Sequence, residues 1–252
     1  MKPILRLEQV NKRFGGVIAA DDITFSVMPG EVHGLIGPNG AGKSTLMNLI
    51  SGIYECDSGY IFFDEKDITK MPAHSRARLG IGRTFQTPRF LQRSSIRENL
   101  LLGTDLGDHF NYAQSYFGKK GADFEAELNE LMQYAGFTFD WDDDITALPF
   151  GQRKILEIVR AMLSHPKLML VDEPAAGLNS SEIDNVISLL TKAAKELGIG
   201  ILLIEHAMDL VMNFCERIVV INFGKVIAYG SPSEVSSNPA VIEAYLGRDN
   251  DA

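Results

Sequence analysis

The chain has 252 residues, 45% of them apolar, a formal net charge of −9 and a pI of ≈ 5.1. That length allows one large domain or a core with a smaller subdomain, and an acidic chain with no basic block is a poor electrostatic match for nucleic acid. Cys56 and Cys215 form no metal or redox pattern and fit a reducing cytosol; Met1 to Arg6 holds no signal-peptide core and no apolar run reaches the roughly 18 residues that span a bilayer, so a soluble chain is expected, with any membrane role supplied by a partner.

Ile4 to Val10 alternates apolar and polar residues as a half-buried strand does, and Asn11 to Gly16 reads as a turn. Ile23 to Val27 alternates again, and Met28-Pro29-Gly30 turns the chain into a short apolar strand, Glu31 to Ile36. Then comes Gly37-Pro38-Asn39-Gly40-Ala41-Gly42-Lys43-Ser44-Thr45, followed by an amphipathic helix from Leu46. This is G-x-x-x-x-G-K-[ST] in its strand–loop–helix setting, a phosphate-binding loop. Its glycines let the backbone N–H groups approach a polyphosphate, Lys43 places a point charge on the β- and γ-phosphates, and Ser44 offers a hydroxyl to Mg²⁺. The helix start adds unpaired N–H groups and a positive dipole end.

Tyr60 to Phe63 is a further strand, Pro72 opens a short helix through Leu79, and Ile81 to Phe85 is a strand ending at Gln86. From Thr87 to about Leu148 the pattern is helical, with helices at Ile96–Leu102 and Phe124–Tyr134 and a long Gly-, Asp-, Asn- and Tyr-rich insertion between them, near residues 103–121. A helix runs from Gln152 to Ser164, and Lys167 to Val171 is a continuous apolar strand of the kind buried on both faces of a parallel sheet. The helix from Ser180, a second buried strand Ile199–Ile204, a helix Ala207–Cys215, strands Ile218–Ile221 and Val226–Tyr229 and two small helices near Pro232 and Pro239 complete the chain.

The strand Leu168-Met169-Leu170-Val171 ends in Asp172-Glu173. Two carboxylates at the carboxyl edge of a parallel sheet stand where such sheets bind ligands. Asp172 suits Mg²⁺, and Glu173 suits a general base for an attacking water. Gln86 is placed to touch both metal and water, and His206, just past the second buried strand, to reach a γ-phosphate between Lys43 and Glu173. Leu148-Pro149-Phe150-Gly151-Gln152 opens a helix after a glycine and is a candidate second phosphate-binding surface.

Other features have plainer readings. Asp140-Trp141-Asp142-Asp143-Asp144 lacks the glycine and distal glutamate of a calcium loop and reads as a solvated acidic loop. His33 belongs to the core, while His74, His109 and His165 lack paired ligands. Arg76, Arg78, Arg83, Arg89, Arg93 and Arg97 surround Gln86, and some of them are expected to line a surface that docks a membrane partner.

In order and spacing, the phosphate loop, Gln86, Leu148 to Gln152, Asp172-Glu173, Ala176 to Asn179 and His206 resemble an ABC transporter ATPase over essentially the whole chain. The resemblance implies an α/β fold: a P-loop NTPase, RecA-like core (residues 1–86 and 153–252) with an antiparallel β subdomain, and a helical subdomain (87–152) that holds the insertion and the signature segment. It implies ATP and Mg²⁺ as cofactors, with Ser44, Gln86 and Asp172 at the metal, Lys43, Gln86, Glu173 and His206 in catalysis, and Phe14 stacked on adenine. It also implies a head-to-tail pair of cassettes, in which Leu148 to Gln152 acts on the partner's ATP and Asn179 faces the opposite subunit. Asp172 to Asn179, Ile204 to Met212 and the insertion are most similar to branched-chain amino acid importer ATPases of the LivG type. Those work with a second ATPase (a paralogue or a second copy), two membrane permeases and a periplasmic binding protein, on the cytoplasmic face of the plasma membrane. Urea, short amides or another small solute, or a soluble non-transport ATPase, stand as alternatives. One departure is plain: the family signature begins Leu-Ser-Gly-Gly-Gln, and here Pro149 replaces the serine and Phe150 a glycine. Proline offers neither a side-chain donor nor an N–H, so a weakened signature contact is expected.

Overall fold

The structure, a computed structural model, describes residues 2–104 and 119–246. In chain order the strands are β1 (Leu5–Phe14), β2 (Val17–Val27), β3 (Val32–Ile36), β4 (Ser58–Phe63), β5 (Lys66–Asp67), β6 (Ile81–Arg83), β7 (Leu168–Asp172), β8 (Gly200–Ile204), β9 (Arg217–Asn222) and β10 (Lys225–Gly230). The helices are α1 (Lys43–Ser51), α2 (Ala73–Arg78), α3 (Ile96–Leu101), α4 (Lys119–Ala135), α5 (Phe150–Met162), α6 (Ser180–Lys195), α7 (Met208–Phe214), α8 (Pro232–Ser236) and α9 (Pro239–Leu246). A 3-10 turn at Ile145–Ala147 precedes α5.

The strands form two sheets: an antiparallel one of order β2-β1-β4-β5, and a six-stranded one of order β10-β9-β3-β8-β7-β6. In the larger sheet every pairing is parallel except β9 with β10. Its central strands are apolar throughout because both faces are covered, and alternation sorts their side chains. Val32, Ile36, Met169, Val171, Ile201 and Leu203 pack with the helical side, on Leu156, Val159, Leu189 and Leu128. Leu35, Leu168, Leu170, Leu202, Ile204 and Val219 pack with α1 and the antiparallel sheet, on Leu46, Leu49, Leu7 and Phe63.

Several expectations need correcting. Residues 11–14 are not a turn: β1 continues to Phe14 and pairs with β2 as far as Phe14↔Val17, so only Gly15 and Gly16 turn the hairpin. Polar residues at the end of a two-stranded ribbon hide its period, because neither face there is buried. The strand before Gln86 stops at Arg83 rather than Phe85, Pro72 is the N-cap of α2 rather than its first residue, and α5 opens at Phe150, two residues before Gln152. The short β5 has too few residues to show a pattern. Most of the insertion, with His109, lies outside the described residues.

Of the six arginines around Gln86, Arg76 and Arg83 are tied to the end of α1. Arg76 is fully buried and donates to the carbonyls of Leu49 and Ile50 (2.7 and 2.9 Å), Met71 (2.7 Å) and Thr69 (2.9 Å), closing the C-terminus of α1. Arg83 donates to Asn48 Oδ1 at 2.8 Å and Ser51 Oγ at 2.7 Å on the same helix. His33 is buried, as expected of a core residue. In the acidic loop the Asp144 carboxylate accepts from the N–H of Thr146 at 2.8 Å, and the Asp140 carboxylate accepts from Asp142 N–H at 3.1 Å.

Candidate active site

Adjacent parallel strands β3, β8, β7 and β6 end at one edge of the sheet. Leu35, Ile204 and Asp172 are in register across three of them, and Arg83 pairs with Leu170 across the fourth. The residues just past those ends are the glycine loop, His206, Glu173 and Gln86. Side chains far apart in sequence therefore converge because strand order and register place them together.

The loop after β3 is shaped by backbone contacts that exclude side chains. A Cβ at Gly37 (φ 153°) would lie 2.0 Å from the Ile221 carbonyl oxygen, and one at Gly42 (φ 110°) would lie 2.3 Å from that of Ala19. Asp21 N–H donates to the Gly224 carbonyl at 2.8 Å and Gly224 N–H to that of Ala41 at 2.9 Å, so main chain links the hairpin to the loop. Gly42 caps α1 without any side-chain acceptor, which leaves the first-turn N–H groups facing the loop. Lys43, 7% exposed, donates to the carbonyls of Gly37 at 2.7 Å and Pro38 at 3.0 Å. Burial holds its ammonium below the usual lysine range, opposed by Glu173 and then Asp172. Pro38 is half-buried, while Asn39, Gly40 and Ser44 are exposed and Thr45 is half-buried.

Glu173 follows β7 with φ 47°, a left-handed conformation that few non-glycine residues adopt. Its N–H donates to the Ile204 carbonyl at 2.9 Å. Its carboxylate is held from both sides: Gln86 Nε2 donates to Oε2 at 2.7 Å, and His206 Nε2 lies 3.0 Å from Oε1. Burial raises the Asp172 carboxyl above its usual range; Arg83 opposes that shift and the Glu173 charge adds to it. Thr84, buried, takes the Asp172 N–H on its hydroxyl at 3.3 Å, fixing β6 against β7 just before Gln86.

Phe14, Lys43, Ser44, Glu173 and His206 line one groove of ≈ 320 Å³. Phe14 ends β1 with an exposed ring that makes a T-shaped contact with Tyr54 at 5.3 Å between centroids and has Lys12 Nζ 5.3 Å from its centroid, and it lines the same groove as the phosphate loop. A nucleoside triphosphate fits this layout in chemistry: a ring, then an anion cradle without side chains, then a carboxylate. Ser44, Asp172 and Gln86 supply the hard oxygen donors that Mg²⁺ prefers.

The signature segment lies elsewhere, at the start of α5. Pro149 is its N-cap and makes no side-chain capping bond. Phe150 is exposed, with its ring against Gly177. Gly151 is buried: a Cβ there would lie 2.1 Å from Glu182 Oε1. Glu182 also forms a capping box with Asn179 at the start of α6. Leu148 and Gln152 are half-buried. The structure therefore brings together Phe14, residues 37–45, Gln86, Asp172, Glu173 and His206, and holds Leu148 to Gln152 apart from them.

Sequence reasoning missed Lys154 and Glu205. Lys154 donates to the carbonyls of Glu173 at 2.5 Å and Ala176 at 2.8 Å, and Glu205 accepts the N–H groups of Ala175 at 2.7 Å and His206 at 3.0 Å. Lys154 falls on the buried face of α5 with Gly151, Ile155 and Ile158, and a charge on an apolar stripe was the available signal.

Comparison with known proteins identifies the family and the fold. The family model described as "ABC transporter" matches residues 20–176, and that described as "Branched-chain amino acid ATP-binding cassette transporter" matches residues 225–251. The chain belongs to the ABC transporter family and is an ATPase of the ATP-binding cassette type. Among its relatives, the high-affinity branched-chain amino acid transport ATP-binding protein BraF of Pseudomonas aeruginosa is 38% identical, with 98% of each chain covered. The corresponding LivG protein of Escherichia coli K12 is 34% identical, again over 98% of each. A solved nucleotide-free ATP-binding cassette from an ABC transporter superposes with a TM-score of 0.83 at 34% identity, covering 98% of this chain and all (100%) of the other. One in its ADP conformation does so with the same values, TM-score 0.83 and 34% identity over 98% and 100%.

Proposed function

We propose that this chain is the ATP-binding and hydrolysing subunit of an importer for branched-chain or other hydrophobic amino acids. The observation that carries the catalytic part is the Glu173 carboxylate held between Gln86 and His206 at the sheet edge that also bears Lys43. ATP lies with its adenine on Phe14 and its phosphates in the loop from Gly37 to Thr45, the Lys43 ammonium on the β- and γ-phosphates. Glu173 takes the proton of a water that attacks the γ-phosphorus, the bond to the β,γ-bridging oxygen breaks, and ADP and phosphate leave. Gln86 orients that water, and His206 steadies both Glu173 and the γ-phosphate. Ser44, Asp172 and Gln86 would hold Mg²⁺, which supplies charge neutralisation between the phosphates.

The solute class is supported by the names of the BraF and LivG relatives and by the match over residues 225–251. On the same ground the chain pairs head to tail with a second cassette, a copy or a paralogue. Leu148 to Gln152 then meets the partner's ATP, and two permeases with a periplasmic binding protein complete the assembly. No helix among the described residues is long and apolar enough to cross a membrane; on the same proposal, attachment to the cytoplasmic face goes through the permeases. Residues 1–86 and 153–252 act as the ATP-binding core, and residues 87–152 as the helical part that passes closure to the permeases.

The test is Glu173→Gln, assayed for steady-state turnover and for binding of a fluorescent ATP analogue. Loss of turnover with binding kept is expected. Full hydrolysis by that variant, or failure of the wild-type chain to retain ATP with magnesium supplied, would overturn the reading.

A further inference from the structure

The turn after β7 carries Glu173 in a left-handed conformation, and several main-chain groups around it have named partners. Glu173 N–H is bonded to β8, its carbonyl to Lys154 Nζ at 2.5 Å, the Ala176 carbonyl to the same Nζ at 2.8 Å, and Ala175 N–H to Glu205 Oε1 at 2.7 Å. The other Glu205 oxygen takes the N–H of His206 at 3.0 Å. Lys154 is 3% exposed and Glu205 4% exposed. Two buried charges are a costly way to fill space, and an apolar residue packs as well. What a buried ammonium adds is direction: one nitrogen draws two carbonyls to a common point and sets the angle of the peptide that bears Glu173.

We infer that Lys154 is a positioning residue for Glu173, fixing that carboxylate's backbone to the N-terminal half of α5, with Glu205 fixing the opposite side of the turn together with His206. The inference rests on the proposed function. On that reading, the start of α5 faces the partner's nucleotide while Glu173 serves this chain's own. Lys154, whose Nζ stands 5.9 Å from the ring of Phe150 in the signature, then lies between the two nucleotides and lets the seating of one bear on the chemistry of the other. It touches neither nucleotide itself.

The test compares wild type, Lys154→Met and Lys154→Arg by steady-state ATPase assay and by affinity for a fluorescent ATP analogue, with thermal melting alongside. Lys154→Met should lower kcat by roughly 10- to 100-fold, the effect of a misplaced reacting group, and leave nucleotide affinity within about twofold because the phosphate loop is untouched. An unchanged kcat overturns the inference, as does a fall in affinity as large as the fall in kcat. If Lys154→Met does not fold, Lys154→Arg is read instead. It keeps the charge but replaces a single donor nitrogen by a planar fork, so a lowered kcat with unchanged affinity supports the assignment and an unchanged kcat overturns it. Failure of the functional reading looks different: wild type then shows no turnover, whereas turnover abolished by Glu173→Gln upholds that reading whatever Lys154 does.

Discussion

His206 Nε2 lies 3.0 Å from Glu173 Oε1, on the side of the carboxylate opposite Gln86. The imidazole is half-exposed and the carboxylate largely sheltered, and on the proposed reading the histidine is the member of the pair that contacts the γ-phosphate. His206→Ala should lower kcat by roughly 100-fold or more while ATP binding persists. Single-turnover hydrolysis with bound nucleotide quantified separately distinguishes this from a loss of affinity.

Phe14→Ala should weaken ATP binding roughly tenfold, the usual loss when a base gives up an aromatic face, and Phe14→Tyr or Phe14→Trp should restore it. Tyr54, in T-shaped contact with the same ring, is not expected to substitute for it, because Tyr54 is not among the residues lining the groove. Titration with a fluorescent nucleotide measures all three.

Pro149 ends at a helix start with no side-chain cap. Pro149→Ser supplies a hydroxyl there and should tighten the ATP-bound pair of cassettes. In a Glu173→Gln background, where hydrolysis does not intervene, sedimentation velocity in Mg-ATP should show a lower dimer dissociation constant. An unchanged constant counts against the head-to-tail contact at this segment.

Burial pushes the Glu157 carboxyl up to about 6, with Arg160, the N–H groups of Arg89 and Phe85, and Lys154 opposing the shift. A carboxyl with a raised folded-state pKa binds its proton more tightly in the native chain. Its effect on stability is therefore most favourable below its unfolded value and is lost as pH rises through about 6. The loss is about 2 kcal/mol by neutral pH. Glu157→Gln should remove this one contribution, so its stability relative to wild type should rise between about pH 4.5 and 6 and then level off. Urea unfolding across that range checks the sign.

Arg76→Met removes the guanidinium donor from four carbonyls, those of Leu49 and Ile50 at the end of the phosphate-loop helix and those of Thr69 and Met71 ahead of α2. A loss of about 3 kcal/mol or more is expected, against a change within roughly 0.5 kcal/mol for the exposed Arg93→Met. Chemical denaturation of the two variants side by side makes the comparison.

The parts legible in the sequence were those whose meaning is local. The glycines around Lys43 and the apolar runs ending in Asp172 and Ile204 carry their geometry within a few residues, because strand burial and loop curvature are written into adjacent side chains. Arg76 shows the opposite case. In sequence it belongs to a basic stretch, yet its partners are backbone carbonyls of Leu49, Ile50, Thr69 and Met71, which no composition reveals. Lys154 and Glu205 were hidden for the same reason: their partners are main-chain atoms of a turn that exists only once β7 and β8 lie side by side.

The main-chain path from Asp21 through Gly224 to Ala41, with Ala19 seated on Gly42, has a consequence for selectivity. The interval between the Phe14 ring and the loop is set largely by main-chain contacts, so exchanging the side chains now present along it should leave the gap close to its present length, whereas a Cβ at Gly42 would push Ala19 away and alter it. Phe14 itself has no donor or acceptor with which to tell one purine from another. A pocket of this make gauges its guest by span rather than by base, and guanosine and adenosine triphosphates should compete for it on nearly equal terms.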